Sequence, residues 1–455
     1  MNIFALALRN VRKSLRDYSI YFLTIMIGVA LFYIFNSIES QTVMMDLSQN
    51  DMLSLLGIAQ DMNFLSGFVA AVLGFLIVYA NAFLIRRRKK ELGLYIVLGM
   101  TRRKISAILI AETIFVGLIS LAVGILLGVL LSQGMALLTA KLFGVSIGRF
   151  AFVFSIDALR KSVLYFGVAF LIVALFNMVN LNRQKLLNLI YAEKRTSEFH
   201  KIPMALSLVL FIIGVAVLGF AYHELLTNGL VGFFDEAKRS VQVLAVVLFI
   251  VATLLIFFSL SGFLLRLISK QKRVYFSGLN MFTLKQLGSK MHTAFLSQTA
   301  CCMMLCFAIT AISVGSSLSW GVRDLPDETA ASVGIAYMSV YIGIVFLLAC
   351  VSVLAIMQLS EASDNQTRYA LLSKLGAPEA MLSKSLFVQI GVYFLLPLVL
   401  AIAHSVVAIR VLGILVAALQ NVNIFATSVV AGGMLVVLYG GYFAVTYRNA
   451  RKLIR

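Results

Sequence analysis

The sequence predicts an all-α polytopic membrane protein with ten transmembrane helices, arranged as two four-helix repeats with a two-helix insert between them. Three observations carry this: an apolar composition, ten hydrophobic stretches of spanning length, and a basic, glycine-ended segment that recurs in the second half. Hydrophobic residues make up 61% of the 455 and charged residues 13%, with a mean hydropathy of +0.99. Soluble domains run at roughly 45–50% apolar. Four prolines and one tryptophan also argue against a loop-rich soluble fold.

A hydrocarbon core of about 30 Å takes roughly 20 apolar residues per helix. Stretches near 18–38, 62–85, 105–135, 162–181, 203–222, 241–266, 292–317, 332–358, 385–414 and 424–446 meet that requirement. The opening "MNIFALALRNVRKSLRDYS" reads as an amphipathic basic helix leading into the first span rather than a cleavable signal. With the N-terminus inside, 30 of the 38 Lys and Arg residues fall in inner segments. The positive-inside rule then puts both termini in the cytoplasm. The +19 formal charge is accounted for by topology and headgroup contact, with the bilayer as partner and no nucleic acid.

Aligning Gly99 with Gly376 lays "ELGLYIVLGMTRRKISAILIAE" over "RYALLSKLGAPEAMLSKSLFVQ". Leu94 meets Leu371, Leu98 meets Leu375, and Glu112 meets Gln389. Upstream, "LRNVRKS" from Leu8 lies over "LKQLGSK" from Leu284 at nearly the same offset. This divides the chain into a first repeat at 1–185 (spans 1–4), a two-span linker at 186–275 (spans 5–6) and a second repeat at 276–455 (spans 7–10).

Between spans 2 and 3 stands "IRRRKKELGLYIVLGMTRRK", with five consecutive basic residues and then three more. Leu92, Tyr95, Ile96 and Leu98 read as the apolar face of a short helix flanked by Arg88 and Glu91. Gly99 ends it, since a left-handed cap position favours glycine. The second copy, with Tyr369, Leu371, Leu372 and Leu375 before Gly376, is far less basic. Lipid anchoring would favour basic residues in both copies, whereas docking of a soluble partner needs only the apolar face and the turn. Docking is the reading that fits both.

The run "RRRKKELGLYIVLGMTRRKISAILIAE" resembles the signature of FtsX-like permeases, the membrane subunits of type VII ABC systems. The ten-span duplicated plan and "ALALRNVRKSLRDYSIYFLTIMIGVALFYIFNSI" look most like the bacitracin-resistance (Bce-type) branch. The resemblance implies coupling helices at about 86–104 and 363–384, with Arg88, Glu91, Leu92, Tyr95, Leu98, Gly99, Leu371, Leu372, Leu375 and Gly376 contacting a separate ATPase. It implies a bacterial plasma-membrane location, two ATPase copies carrying ATP and Mg, a role in peptide-antibiotic resistance, and a sensor histidine kinase as a further partner. The chain departs from that branch between spans 7 and 8. The branch carries a large extracellular domain there, and this sequence has only "SLSWGVRDLPDETA". Recognition is therefore expected in the spans, in an apolar groove open to lipid and taking an amphipathic peptide or lipid. Phe32, Tyr33 and Phe35 at the end of span 1 suit such a guest, or serve as interfacial anchors.

The sequence holds no G-x-x-x-x-G-K-[ST], so no P-loop cradles nucleotide phosphates in this chain, and no residue pattern supports an enzyme or a cofactor of its own. Cys301, Cys302, Cys306 and Cys350 read as small packed hydrophobes rather than metal ligands. Four polar residues at membrane depth are candidates: Asn81, Glu112, Gln389 and His404. Glu112 reads as pairing with a basic residue near the coupling helix. His404 reads as a neutral ring bonded to a neighbouring helix, with a functional ionisable group as the other reading. Two alternatives to export stay open: a mechanotransmitting scaffold signalling to a kinase or cell-wall hydrolase, and a lipoprotein-releasing or tripartite efflux permease, which would need extracytoplasmic domains.

Overall fold

Where a backbone leaves water, each N–H and C=O must be satisfied within its own segment, which favours helix. All the secondary structure described here is helical. The computed structural model describes residues 6–10, 15–41, most of 66–85, 88–143, 152–183, 203–229, 232, 235–321, 329–419 and 424–454. In chain order the helices are α1 (Leu15–Gln41), α2 (Lys89–Val97), α3 (Arg102–Phe143), α4 (Ile156–Arg183), α5 (Met204–Asn228) and α6 (Glu236–Lys270). They continue as α7 (Lys272–Tyr275), α8 (Asn280–Gly321), α9 (Thr329–Asp364), α10 (Gln366–Lys374), α11 (Glu379–Leu419) and α12 (Ile424–Ile454). The described residues between 66 and 85 are helical too.

Among the described residues, 7 helices are long and apolar enough to cross a membrane: α3, α4, α5, α6, α8, α9 and α11. Tyr21–Ser37 and Val69–Ala82 are shorter apolar stretches. Helices α3 and α8 each have 42 residues. At 1.5 Å per residue each is about 63 Å long, roughly twice the hydrocarbon thickness. Both are rods that extend well past an apolar layer.

The chain forms two compact units, Met1–Thr196 with Asp327–Tyr337, and Ser197–Pro326 with Met338–Arg455. In the first, α1 lies along α3 and α4 packs on both. Lipid supplies no hydrophobic drive between helices, so close backbone approach must do the work. Gly124 and Gly128 on α3 provide it. A Cβ at Gly124 would stand 2.7 Å from Val29 Cβ and 2.8 Å from the Met26 carbonyl, and one at Gly128 would stand 2.9 Å from Tyr33 Cβ. Phe32 meets Tyr165 and Phe166 edge-on at 5.4 and 5.8 Å. The Tyr33 hydroxyl accepts the Ser155 backbone N–H at 3.2 Å. This corrects the expectation for Phe32, Tyr33 and Phe35. All three are fully buried, so their rings are packing groups in the unit's interior and not an open seat for a guest.

In the second unit α6 packs on α5 and α8, and α8 packs on α11 and α12. The spanning windows of α8 and α9 are 72% buried, against 22–39% for the other spanning helices, so these two form the interior. Their inner faces carry small residues: Cys301, Cys302, Ala308, Ala349 and Cys350 are all buried. The four cysteines are reduced, and the Cys350 thiol donates to the Cys301 carbonyl at 3.5 Å.

Candidate functional site

Helix α2 has two distinct faces. Arg88, Leu92 and Tyr95 recur at i, i+4 and i+7, which places them on one side. That side is turned inward. Arg88 at the helix start is 2% exposed, and Leu92 packs in a cluster with Ile85, Ile105 and Leu109, backed by Tyr95, Ile96 and Met100. The opposite side presents Leu94, Val97 and Leu98, exposed by 57%, 61% and 70%. The expected face grouped Leu92, Tyr95 and Leu98, and the structure separates them. Leu98 is six residues from Leu92, about 240° round the helix, so the two cannot share a surface. Leu92 is an interior contact and Tyr95 is partly buried, while Leu94 and Val97 join Leu98 outside.

The turn after α2 is a Schellman cap. Gly99 has φ 85°, its N–H donates to the Ile96 carbonyl at 3.0 Å, and the Met100 N–H donates to the Tyr95 carbonyl at 3.0 Å. After α10 the same bonds recur. Gly376 has φ 89°, its N–H donates to the Ser373 carbonyl and the Ala377 N–H to the Leu372 carbonyl, each at 3.0 Å. Leu371 and Leu375 stand 56% and 83% exposed, Leu372 is half-buried, and Tyr369 is fully buried. Burial pushes the Tyr369 phenol up to about 12, so it works as a neutral hydrogen-bonding group.

Polar residues hold each helix to its unit. Arg88 pairs with Glu112 through its Nη1, and its Nε donates to Glu91 at 2.9 Å. Asn10 Nδ2 donates to Glu112 Oε1 at 2.8 Å, and the Tyr95 hydroxyl donates to Asn10 Oδ1 at 3.4 Å. The expected pairing of Glu112 with a basic residue beside the helix is therefore present, and Asn10 is the partner that sequence reasoning missed. In the second unit Gln389 Nε2 donates to Gln286 Oε1 at 2.7 Å, and Thr283 and Ser385 share a hydrogen bond at 2.7 Å. The Tyr369 hydroxyl reaches Ser385 at 3.4 Å.

Asn81 lies deeper, donating to Asn177 Oδ1 at 2.5 Å, while Asn177 Nδ2 reaches Thr113 Oγ1 at 3.4 Å. This ties the 66–85 stretch, α3 and α4 together. His404 on α11 is 1% exposed, with Tyr222 of α5 on Nδ1 and Thr253 of α6 on Nε2 at 3.0 Å. Phe249 covers the ring at 4.5 Å. Among the described residues no group of three or more His, Cys, Asp or Glu could hold a metal ion.

Comparison with known proteins bears on the same segments. The family model described as FtsX-like permease C-terminal matches residues 63–189 and 340–452, together more than half of the chain. The bacitracin export permease protein BceB of Bacillus subtilis is 32% identical over 224 residues, covering 48% of this chain and 34% of that protein. Its namesake from Halalkalibacterium halodurans is 27% identical over 344 residues, covering 72% and 50%. The ABC transporter permease protein YxdM of Bacillus subtilis is 30% identical over 78 residues, covering 17% and 12%. The chain thus spans half or less of the length of these curated relatives. Each of the two family matches contains one glycine-capped helix and spanning helices around it, and with more than half its length so matched this multi-pass membrane protein belongs to the FtsX-like permease family.

Proposed function

We propose that this chain is the permease subunit of an ABC transporter in a bacterial plasma membrane, with ten spans and with both termini and both docking helices in the cytoplasm. One observation carries the reading. Leu94 and Leu98 on α2, and Leu371 and Leu375 on α10, stand exposed just before a Schellman glycine, while the other side of each helix is fixed in place. An apolar face held in water calls for a protein that covers it. Two such helices call for two ATPase copies, and ATP and Mg belong to those subunits. The separate family matches at 63–189 and 340–452 support the duplicated plan, with 186–275 as the inserted pair of spans.

The substrate class is an amphipathic one, a peptide antibiotic or a lipid. The printed name of two relatives, bacitracin export permease, supports the peptide. The 14-residue link "SLSWGVRDLPDETA" leaves recognition to the spans and fits either guest. The 42-residue rod α3, which starts just after the docking turn, equally serves mechanical signalling to a sensor histidine kinase.

The test is co-purification with a co-expressed ABC ATPase subunit of an FtsX-like permease system. Leu98→Asp and Leu375→Asp each place a charge in the docking face. A hot-spot loss of about 2 kcal/mol corresponds to roughly 30-fold weaker binding per site. The double variant should insert normally and lose the ATPase. A double variant that binds and stimulates the ATPase like wild type overturns the assignment.

A further inference from the structure

A charge in an apolar interior needs a partner there, and removing one member of such a pair strands the other. The first unit buries a pair of this kind at the foot of its docking helix. Arg88 is 2% exposed and Glu112 1%. Their bond joins the start of α2 to the third helical turn of α3. Asn10 then binds the other oxygen of Glu112 and receives the Tyr95 hydroxyl. Arg88 and Tyr95 are seven residues apart on one face of α2, about 10 Å along its axis. The circuit therefore closes, running from Tyr95 to Asn10, to Glu112, to Arg88 and back along the helix. Leu92 packs into the space between the two attachment points. The helix is held at both ends and cannot roll without breaking the pair.

In the second unit the inner side of the docking helix is tied by neutral groups, while the ion pair Arg451–Glu379 lies past Gly376 and is partly exposed. Gln389 stands thirteen residues past Gly376, as Glu112 stands past Gly99, but it bonds to Gln286 of α8 and not to the docking helix. Tyr369 reaches Ser385, which in turn bonds Thr283. Hydroxyls and amides can exchange partners with one another, because each both donates and accepts. Arg88 only donates and ionised Glu112 only accepts, so that bond is either made or broken.

We infer that Arg88 and Glu112 are positioning residues, a buried ion pair that locks the first docking helix to α3 so that force on Leu94 and Leu98 passes directly into a spanning helix. The second docking helix is held more compliantly. The purpose of the lock rests on the docking reading above, whereas its existence rests on the α2–α3 geometry alone.

Two readouts separate these. Amide hydrogen exchange of residues 88–100 is measured on the purified permease without any ATPase, for wild type, Arg88→Gln, Glu112→Gln and the double variant. Either single substitution should speed exchange in α2 by at least tenfold. The double variant, which replaces the ion pair by two amides that can bond each other, should return most of the protection. With the ABC ATPase subunit added, the single variants should still bind it through Leu94 and Leu98 but lose most of the permease-dependent stimulation, and the double variant should recover it. Wild-type protection in both single variants overturns the proposal, and so does a double variant no better protected than the singles. Should the singles prove too unstable to purify, a well-folded, protected double variant supports the pair and a collapsed one overturns it. If wild type itself fails to bind the ATPase, the docking reading falls, and the exchange data still decide the lock.

Discussion

The tautomer of His404 follows from its neighbours. Thr253 Oγ1 donates its proton to the Phe249 carbonyl at 2.8 Å, so toward the ring it can only accept. His404 Nε2 must therefore carry the hydrogen, leaving Nδ1 to accept from the Tyr222 hydroxyl. A neutral imidazole supplies one donor and one acceptor, and so pins α11 to both α5 and α6. Replacing it with Ala strands two buried partners at about 1–3 kcal/mol each. Gln can restore a donor and an acceptor. Thermal unfolding of the detergent-purified protein should show His404→Ala several degrees below wild type and His404→Gln less than half as far down. Equal losses in the two variants would mean that these bonds do not hold the insert. The sequence singles out His404 because an ionisable residue is rare at that depth. Its partners lie 182 and 151 residues away, and no local pattern encodes them.

At the scale of the helix, hydropathy shows where a span lies but not which way it faces. Leu118 and Leu126 of α3 are more than 60% exposed, while Ile105 and Ile108 of the same helix are buried. Lipid and protein interior are equally apolar, so the amphipathic signal that orients a helix in water is lost here. For that reason hydropathy alone does not show that Phe32 and Tyr33 face the interior, where the structure buries them. The short helix α2 hides its orientation for another reason: its inner face mixes Arg88 with Leu92 and Tyr95, so grouping by hydrophobicity alone crosses from one side to the other. Glycine is the better guide within a span, and it yields a paired test. Gly124→Leu must force α1 off α3, because Val29 Cβ and a backbone carbonyl both stand under 3 Å from the new Cβ. Overpacking of this kind costs about 1–3 kcal/mol. Gly167 on α4 has nothing within 4 Å of a Cβ, so Gly167→Ala should be neutral or slightly stabilising. Urea or heat titration of both variants checks the contrast, and an equal response in the two would mean that α1 and α3 do not meet at Gly124.

For the whole molecule, each unit sets a segment distant in sequence beside its own glycine-capped helix. In the first, Asn10 bonds Glu112 and Tyr95, which brings the N-terminal segment to the foot of α2. In the second, Arg451 near the C-terminus pairs with Glu379 at 3.3 Å, three residues past Gly376, which brings the end of α12 to the foot of α10. Charge then links the two ends of the chain, because 30 of the 38 basic residues fall in the segments that the ten-span map puts inside. The map therefore predicts one sidedness for four places at once: both termini and both docking turns. Cysteine labelling can read it without first removing native thiols, since Cys301, Cys302, Cys306 and Cys350 are all buried. An impermeant maleimide applied to intact cells should modify Ser48→Cys and leave Thr101→Cys and Lys374→Cys untouched. The latter two positions are exposed beside the Gly99 and Gly376 turns, so both should react once the cells are opened. Labelling of Thr101→Cys but not Lys374→Cys from outside would put the two docking helices on opposite sides of the membrane. A single soluble ATPase pair could then not reach both, and the duplicated architecture would have to be redrawn with an odd number of crossings between them.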